Sequence, residues 1–360
     1  MKVALMHDYL NQYGGAERVL ETLCEIFPDA PIYTLFYDKE KTLGKFEGRI
    51  KKVSFLNNPI VSNNHRLFIP FMPIAASFLN VEGDYDIILS SSAGYGKGFR
   101  YGNKPHIAYC HTPLRYAWES KNYFIWGPFL KSISEPIFKY LRTWDYRAAQ
   151  KPNIFLANSN YIANKIKNYY KREAEVLYPP VDFKTFYIDN KVEKRNHFLA
   201  VGRMIHYKKF DLIIRAFNKM KLPLIVVGEG PELNRLKKIA NPANIKFFPF
   251  VKTSCLRDLY NEAEAVIFPQ VEDFGLVAAE AQACGTPVIA LNDGGAREII
   301  EDGKTGVLFK HQTENDLIIA VKKFLLYSFD RKYISESARK FSKTRFKNKI
   351  IKVVQAIKQV

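Results

Sequence analysis

Residues 264–291 read EAVIFPQVEDFGLVAAEAQACGTPVIAL. An apolar run ends at a proline, a short acidic loop carries one glycine, a helix-length apolar segment follows, and a second glycine leads into another apolar run. The period and the flanking turns predict strand, helix, strand. Two strands joined by a helix lie parallel, and the crossover is right-handed. The alternation extends upstream: FLAVGR (198–203), DLIIRAFNKM (211–220), PLIVVGEG (223–230), PELNRLKKIA (231–240) and NIKFFPFV (244–251) give strand, helix, strand, helix, strand. It also fills the first half, where KVALMHD (2–8) precedes NQYGG and the helical AERVLETLCEIF (16–27). There YDIILSSS (85–92) and HIAYCHTP (106–113) are apolar runs with polar ends, and NIFLANSNYIANKIKNYY (153–170) is strand, cap and helix. Between the halves, PPVDFKTFYIDNKVEKRNH (179–197) is proline-led and then charged, and reads as a linker. The expected fold is α/β, two Rossmann-like domains with parallel sheets facing a central cleft. The expected divisions are 1–183, 184–335 and a basic C-terminal helix over 336–360.

Bulk properties fit this reading. The 360 residues are 47% hydrophobic, enough for two cores. No apolar stretch reaches the roughly 18 to 20 residues that span a bilayer; Leu67–Leu79 is shorter and holds Pro70 and Pro73. The N-terminus MKVALMHDYL lacks the pattern of a signal peptide. Cys24, Cys110, Cys255 and Cys284 are far apart, with no C-x-x-C pair, and read as small buried residues in a reducing cytoplasm. The net charge is +18, and residues 331–360 hold ten Lys or Arg against one acid, Glu336. That excess suits a phosphate-rich partner or an anionic membrane face.

Ligands of open parallel sheets bind outside the carboxyl ends of the strands, which directs attention to three sets of residues. In the first, Gly275 opens a helix at Leu276 and Val277 whose free N–H groups favour an anion. Glu280, inside an apolar helix, needs hydrogen-bond donors if buried, and a ribose diol supplies two. Glu272, eight residues earlier in the loop, would meet sugar hydroxyls beyond the phosphates. In the second set, Gly202, Arg203 and Lys208 place two cations at a strand end, suited to neutralising a diphosphate leaving group. In the third, Gly14 and Gly15 open a helix directly after the first strand, and His111 ends the strand HIAYC.

Together these residues resemble the retaining glycosyltransferases of the GT-B fold, and within them family 4. The family's Glu, seven residues, Glu is matched by Glu272 and Glu280 around DFGLVAA, and its G-R-x-x-x-x-K by Gly202, Arg203 and Lys208. The glycine-rich first loop is matched by YGGAER, and GGxxE by Gly294, Gly295 and Glu298. The resemblance implies that Glu280 binds the donor ribose. Glu272, with the backbone around Phe274, Gly275, Leu276 and Val277, would hold the sugar and diphosphate. Arg203 and Lys208 would stabilise the departing diphosphate, Gly14 and Gly15 would lie close to the phosphates, and His111 would hydrogen-bond the transferred sugar. It also implies a nucleotide-sugar donor, no metal and no other cofactor. No Asp-x-Asp near a strand end and no His/Cys cluster speaks for a metal. One position departs from the family: the residue after Lys208 is usually Gly and is Lys209 here. HDYLNQYGGAERVLETLCEIFPDAPIYTLFYD and YCHTPLRYAWE further resemble bacterial mannosyltransferases of O-antigen and exopolysaccharide assembly. These extend a lipid-linked glycan with GDP-mannose at the cytoplasmic membrane face. The implied C-terminal helix crosses back onto the first domain.

Membrane association is also expected from composition. Trp118, Trp126 and Trp144 fall within 27 residues rich in Lys and Arg, beside the apolar segment 67–79 and the basic tail; filling of the core is the competing explanation. Three rivals remain. A nucleic-acid binder would need a recognisable basic module and would be repelled by the paired glutamates. A sugar-nucleotide epimerase would convert donor without acceptor. A nicotinamide dehydrogenase would need G-x-G-x-x-G, which follows neither opening strand.

Overall fold

A computed structural model describes residues 1–119, 128–193 and 196–357. The chain divides into two compact units, one of Met1–Tyr178 with Phe346–Val360, the other of Pro179–Arg345. The first division falls five residues before the expected 183/184, and the second ten residues after 335/336.

The first unit is built on a seven-stranded parallel sheet: β1 (Val3–His7), β2 (Ile32–Thr34), β3 (Ile50–Val53), β4 (Ile87–Ser92), β5 (His106–Cys110), β6 (Ile154–Ala157) and β7 (Glu175–Val176), in the order β3-β2-β1-β4-β5-β6-β7. The order reverses between β1 and β4, where doubly wound sheets keep their ligand crevice. Strand alternation sorts the side chains: Val3 and Leu5 enter one core cluster, Ala4 and Met6 another. The helix Gly15–Ile26 covers the first face with Val19, Leu20 and Leu23. The same cluster takes Phe346, Ile350, Val353 and Val354 from the helix Lys343–Ile357. The expected single helix over 336–360 is instead the end of a helix Arg331–Ser337, a 3-10 turn Ala338–Phe341 and this last helix.

Behind the second face lies a buried ion pair. Lys97 Nζ stands 2.5 Å from Asp145 Oδ1, both side chains at 2% exposure or less. Asp145 Oδ2 also accepts from Trp118 Nε1 at 2.8 Å, Tyr170 O–H at 2.7 Å and Leu114 N–H at 3.3 Å. This network joins the loop after β4, the segment after β5 and the helices Pro128–Ala148 and Asn160–Tyr170.

The second unit has a six-stranded parallel sheet: β8 (Phe198–Val201), β9 (Leu224–Val227), β10 (Ile245–Phe248), β11 (Val266–Phe268), β12 (Val288–Leu291) and β13 (Gly306–Phe309), in the order β10-β9-β8-β11-β12-β13. It repeats the plan of the first, reversing between β8 and β11. The helices Phe210–Met220 and Glu314–Phe324 pack their apolar stripes on one face. The second starts at Thr313, whose hydroxyl accepts from Asp316 N–H. The stretch expected as a linker is packed instead: Val181 and Phe186 are buried, Val181 N–H bonds Phe341 O, and Asp189 N–H bonds Asn261 Oδ1. Its residues Lys194 and Arg195 lie outside the described residues.

Removing one partner of the Lys97–Asp145 pair strands a buried charge. Asp145→Ala is therefore expected to cost roughly 3 to 5 kcal/mol, read as a large fall in melting temperature or loss of soluble protein.

Candidate active site

The second unit brings its expected residues together at the carboxyl edge of its sheet. Gly202 follows β8, and its backbone N–H bonds Val227 O at 3.0 Å. Lys208 closes a 3-10 turn, His206–Lys208, and Lys209 behind it sits at φ 56°, ψ 33°. That is the left-handed region, which costs a Cβ-bearing residue about 1 to 2 kcal/mol; a glycine fits there without strain, which accounts for the family's preference. Lys208 Nζ lies 3.0 Å from Glu272 Oε1, and a Cβ on Gly202 would stand 3.1 Å from the same ammonium. The two side chains expected to serve diphosphate and sugar separately are thus an ion pair, at 15% and 20% exposure. Arg203 is exposed.

Glu272 stands between β11 and a helix, Leu276–Ala283, begun by Gly275 at φ 105°. Phe274 is buried edge-to-face against Phe341, with centroids 5.2 Å apart. Within the helix Leu276 and Val277 are half-buried, and Glu280 is 2% exposed, its Oε2 accepting from Tyr260 O–H at 3.4 Å. Sequence reasoning missed Gln270: it is buried, and its Nε2 donates to Glu272 Oε1 at 3.3 Å. The signal was a polar side chain just past a buried strand. The loops close on one another by backbone contact. A Cβ on Gly228 would come 2.1 Å from Gly202 O, and one on Gly295 2.3 Å from Phe274 O.

In the first unit, Gly14 caps the helix Gly15–Ile26, but an anion already occupies this turn. Glu17 Oε2 accepts the Gly14 N–H at 2.8 Å, and Glu17 Oε1 lies 3.7 Å from His7 Nε2, both side chains buried. Gly15 is exposed. His111 directly follows β5, and its Nε2 meets Ser91 Oγ at 2.8 Å. Burial, then the nearby His7 and Arg115, hold its pKa down at about 3, so the ring is neutral at ordinary pH. Asp8, at the end of β1, accepts from Ser92 O–H at 2.7 Å and Ala93 N–H at 2.6 Å, fixing the loop after β4. Glu17, His7 and Asp8 are not among the expected site residues; for His7 and Asp8 the signal is MHD, a polar end on a buried strand.

Other expectations change. An Asp-x-Asp does occur, at Asp84 and Asp86, but at the amino end of β4, where Lys2 takes both: its N–H bonds Asp86 and its ammonium Asp84. Among the described residues no group of three His, Cys, Asp or Glu side chains is placed to hold a metal. Cys255 is exposed, while Cys24, Cys110 and Cys284 are buried. Trp118 and Trp144 pack against the core cluster behind the first sheet, the former bonded to Asp145 and the latter to Ser77 Oγ at 3.0 Å. Both rings are thus partly buried by packing; Trp126 lies outside the described residues. Part of the basic tail is engaged within the protein. Lys347 pairs with Glu25 and Lys349 with Glu175, Lys340 donates to Glu298 O, and Arg331 donates to Asn261. Lys358 lies outside the described residues. Among the described residues no helix is long and apolar enough to cross a membrane.

Two family models match the chain: Glycosyltransferase Family 4 over residues 13–185 and Glycosyl transferases group 1 over residues 183–341. The chain is 25% identical to an uncharacterized glycosyltransferase of Methanocaldococcus jannaschii, over 95% of its own length and 93% of that protein's. It is 31% identical to a D-inositol 3-phosphate glycosyltransferase of Geodermatophilus obscurus over 51% of this chain, spanning about half (47%) of that relative. Anabaena HepE in complex with UDP superposes with a TM-score of 0.74 at 19% identity, covering 99% of this chain and 100% of that one. The lipopolysaccharide outer core galactosyltransferase WaaB in its apo form gives 0.69 at 15% identity, with 99% of each chain covered. These likenesses show the fold, two Rossmann-like domains of the GT-B arrangement.

His106 shares the fate of His111: burial above all holds its pKa at about 3. Both folded values lie below the unfolded value of about 6.5. Stability is therefore complete above pH ~6.5 and falls as acid protonates the unfolded chain, by about 1.4 kcal/mol per pH unit for each ring, down to the folded value. Melting scans from pH 7 to pH 4 should show this fall, reduced in His106→Gln.

Proposed function

The chain is a glycosyltransferase of the GT-B type, with a family 4 domain followed by a group 1 domain, and from that premise we propose that it moves a hexose, with retained configuration and without a metal, from a nucleotide sugar to a lipid-linked glycan. The donor we propose is GDP-mannose, and the setting the assembly of a bacterial surface polysaccharide at the cytoplasmic membrane face. The observation that carries the reading is the gathering of Gly202, Lys208 and Glu272 at one sheet edge, with Glu280 buried one helix turn further in.

In this mechanism the acceptor hydroxyl attacks the anomeric carbon from the face the diphosphate leaves. The new C–O bond forms as the bond to the phosphate oxygen breaks, and the hydroxyl proton passes to the departing diphosphate. Lys208 and Arg203 meet the charge that develops there, each contributing about 2 to 4 kcal/mol to lowering the barrier. Glu280 accepts from the ribose hydroxyls and Glu272 from the sugar. His111, neutral, is a hydrogen-bonding partner for the sugar. Glu272→Ala should cut turnover by orders of magnitude in a protein that still melts cooperatively. Near-normal transfer would remove Glu272 from the site.

The base is decided by a thermal-shift screen of GDP, UDP, ADP and dTDP, with and without Mg²⁺. A ligand at about 100 times its Kd adds roughly 2.7 kcal/mol, a rise of a few degrees. A metal-independent shift with GDP alone supports mannose. A UDP shift favours the second reading, to which the bound UDP of HepE points: transfer from a UDP-sugar.

The membrane part of the proposal now rests on the segment between β3 and β4. Phe55, Ile60, Leu67, Phe71, Ile74 and Phe78 are exposed, four of them by 65% or more. Residues 48–81 contain no acid, while Lys51 and Arg66 are exposed beside them. Apolar side chains amid unopposed cations suit an anionic lipid surface. The protein should float with anionic vesicles at low salt, and Leu67→Ser with Phe71→Ser and Phe78→Ser should abolish it; a wild-type protein that does not float sinks the membrane reading.

A further inference from the structure

The ion pair between Lys208 and Glu272 sets a condition on what the site can bind. An ammonium 3.0 Å from a carboxylate, both mostly shielded from water, cannot turn fully to a diphosphate without leaving that carboxylate short of a donor. Gln270, donating to the same Oε1 at 3.3 Å, stays in place but supplies only a neutral amide.

We propose that the Lys208–Glu272 pair makes the site discriminate the intact donor from its own product, favouring the nucleotide sugar over the free nucleoside diphosphate. The inference rests on the donor roles assigned to these two residues above. When a nucleotide sugar enters, its sugar hydroxyls donate to Glu272 as Lys208 turns to the phosphates, so each group exchanges one partner for another. When the free diphosphate binds, nothing replaces the ammonium at Glu272 except water, and the carboxylate faces an added negative charge. Product therefore binds against the pair and donor binds through it. The consequence is easier release of nucleoside diphosphate after transfer, a step that often limits turnover. Glu272 thus acts as a specificity residue as well as a sugar contact.

The test is a double-mutant cycle read by calorimetric binding of GDP, UDP, GDP-mannose and UDP-glucose to the full chain. Wild type should bind one nucleotide sugar more tightly than the matching diphosphate. Glu272→Gln keeps the shape and removes the charge. It should tighten diphosphate binding by about tenfold, within the usual range of coupling between groups, and shrink or invert the preference. In a Lys208→Met background the same substitution should tighten it clearly less, because only the repulsion and not the broken pair is then relieved. Equal tightening with and without Lys208 would mean plain repulsion by Glu272, and overturns the proposal. So does an unchanged diphosphate affinity in Glu272→Gln, with the donor reading left standing. If folded wild type binds none of the four ligands, the donor reading falls and this inference with it.

Discussion

No side chain fits between the loops at the carboxyl edge of the second sheet. The carbonyl of Gly202 would lie 2.1 Å from a Cβ on Gly228, and that of Phe274 2.3 Å from one on Gly295. Such backbone-on-backbone contact is open only to glycine, and the other features of this edge follow from it. The turn carrying Lys208 is pressed against the loop after β9, and the loop carrying Glu272 against the one after β12. An ammonium and a carboxylate 64 positions apart in the chain are thereby held at hydrogen-bond distance. Parallel pairing makes this possible, since β8 and β11 are neighbours and deliver their ends to the same side.

The two units place charge by different rules. In the first, carboxylates are consumed by the fold. Asp145 anchors a buried lysine, an indole and a phenol; Asp8 ties down the loop after β4; Glu17 caps the first helix. In the second, Lys208 and Glu272 keep some contact with water, while Glu280 is buried. Groups locked into buried networks cannot exchange partners cheaply, whereas a pair that keeps some contact with water can. That difference is why the second unit offers ligand chemistry most directly.

The sequence made much of this legible where the information is local. Apolar runs ending in Gly or a polar residue marked β1, β4, β5, β6 and most strands of the second unit, because strand and helix periods act over a few residues. β7 has only two residues, too few to carry a period. The spacing of Glu272 and Glu280 was visible, but their company was not. Lys208 beside Glu272, Gln270 beneath it and Glu17 over the Gly14 turn depend on which strands are neighbours and which rotamers packing selects. The clustered tryptophans misled for the same reason: composition shows aromatic rings, while the indole N–H partners Asp145 and Ser77 lie 27 and 67 positions away. The basic tail, too, counts as free charge until Glu25 and Glu175 are seen opposite it.

The return of residues 346–360 to the first unit has a consequence for synthesis. The stretch 179–345 is an insertion in a domain whose sheet is encoded before it and whose last core residues come after it. On a ribosome the seven strands emerge early, yet Phe346, Ile350, Val353 and Val354 appear only after the whole inserted stretch has been made. At 5 to 20 residues per second the wait is on the order of 10 to 30 s. For that interval the nascent first domain carries an open apolar face, a substrate for chaperones, while the inserted domain can already close. A message cut short near residue 340 would leave that face open permanently, and the product would be recognised by proteases as incomplete although both sheets are encoded in full.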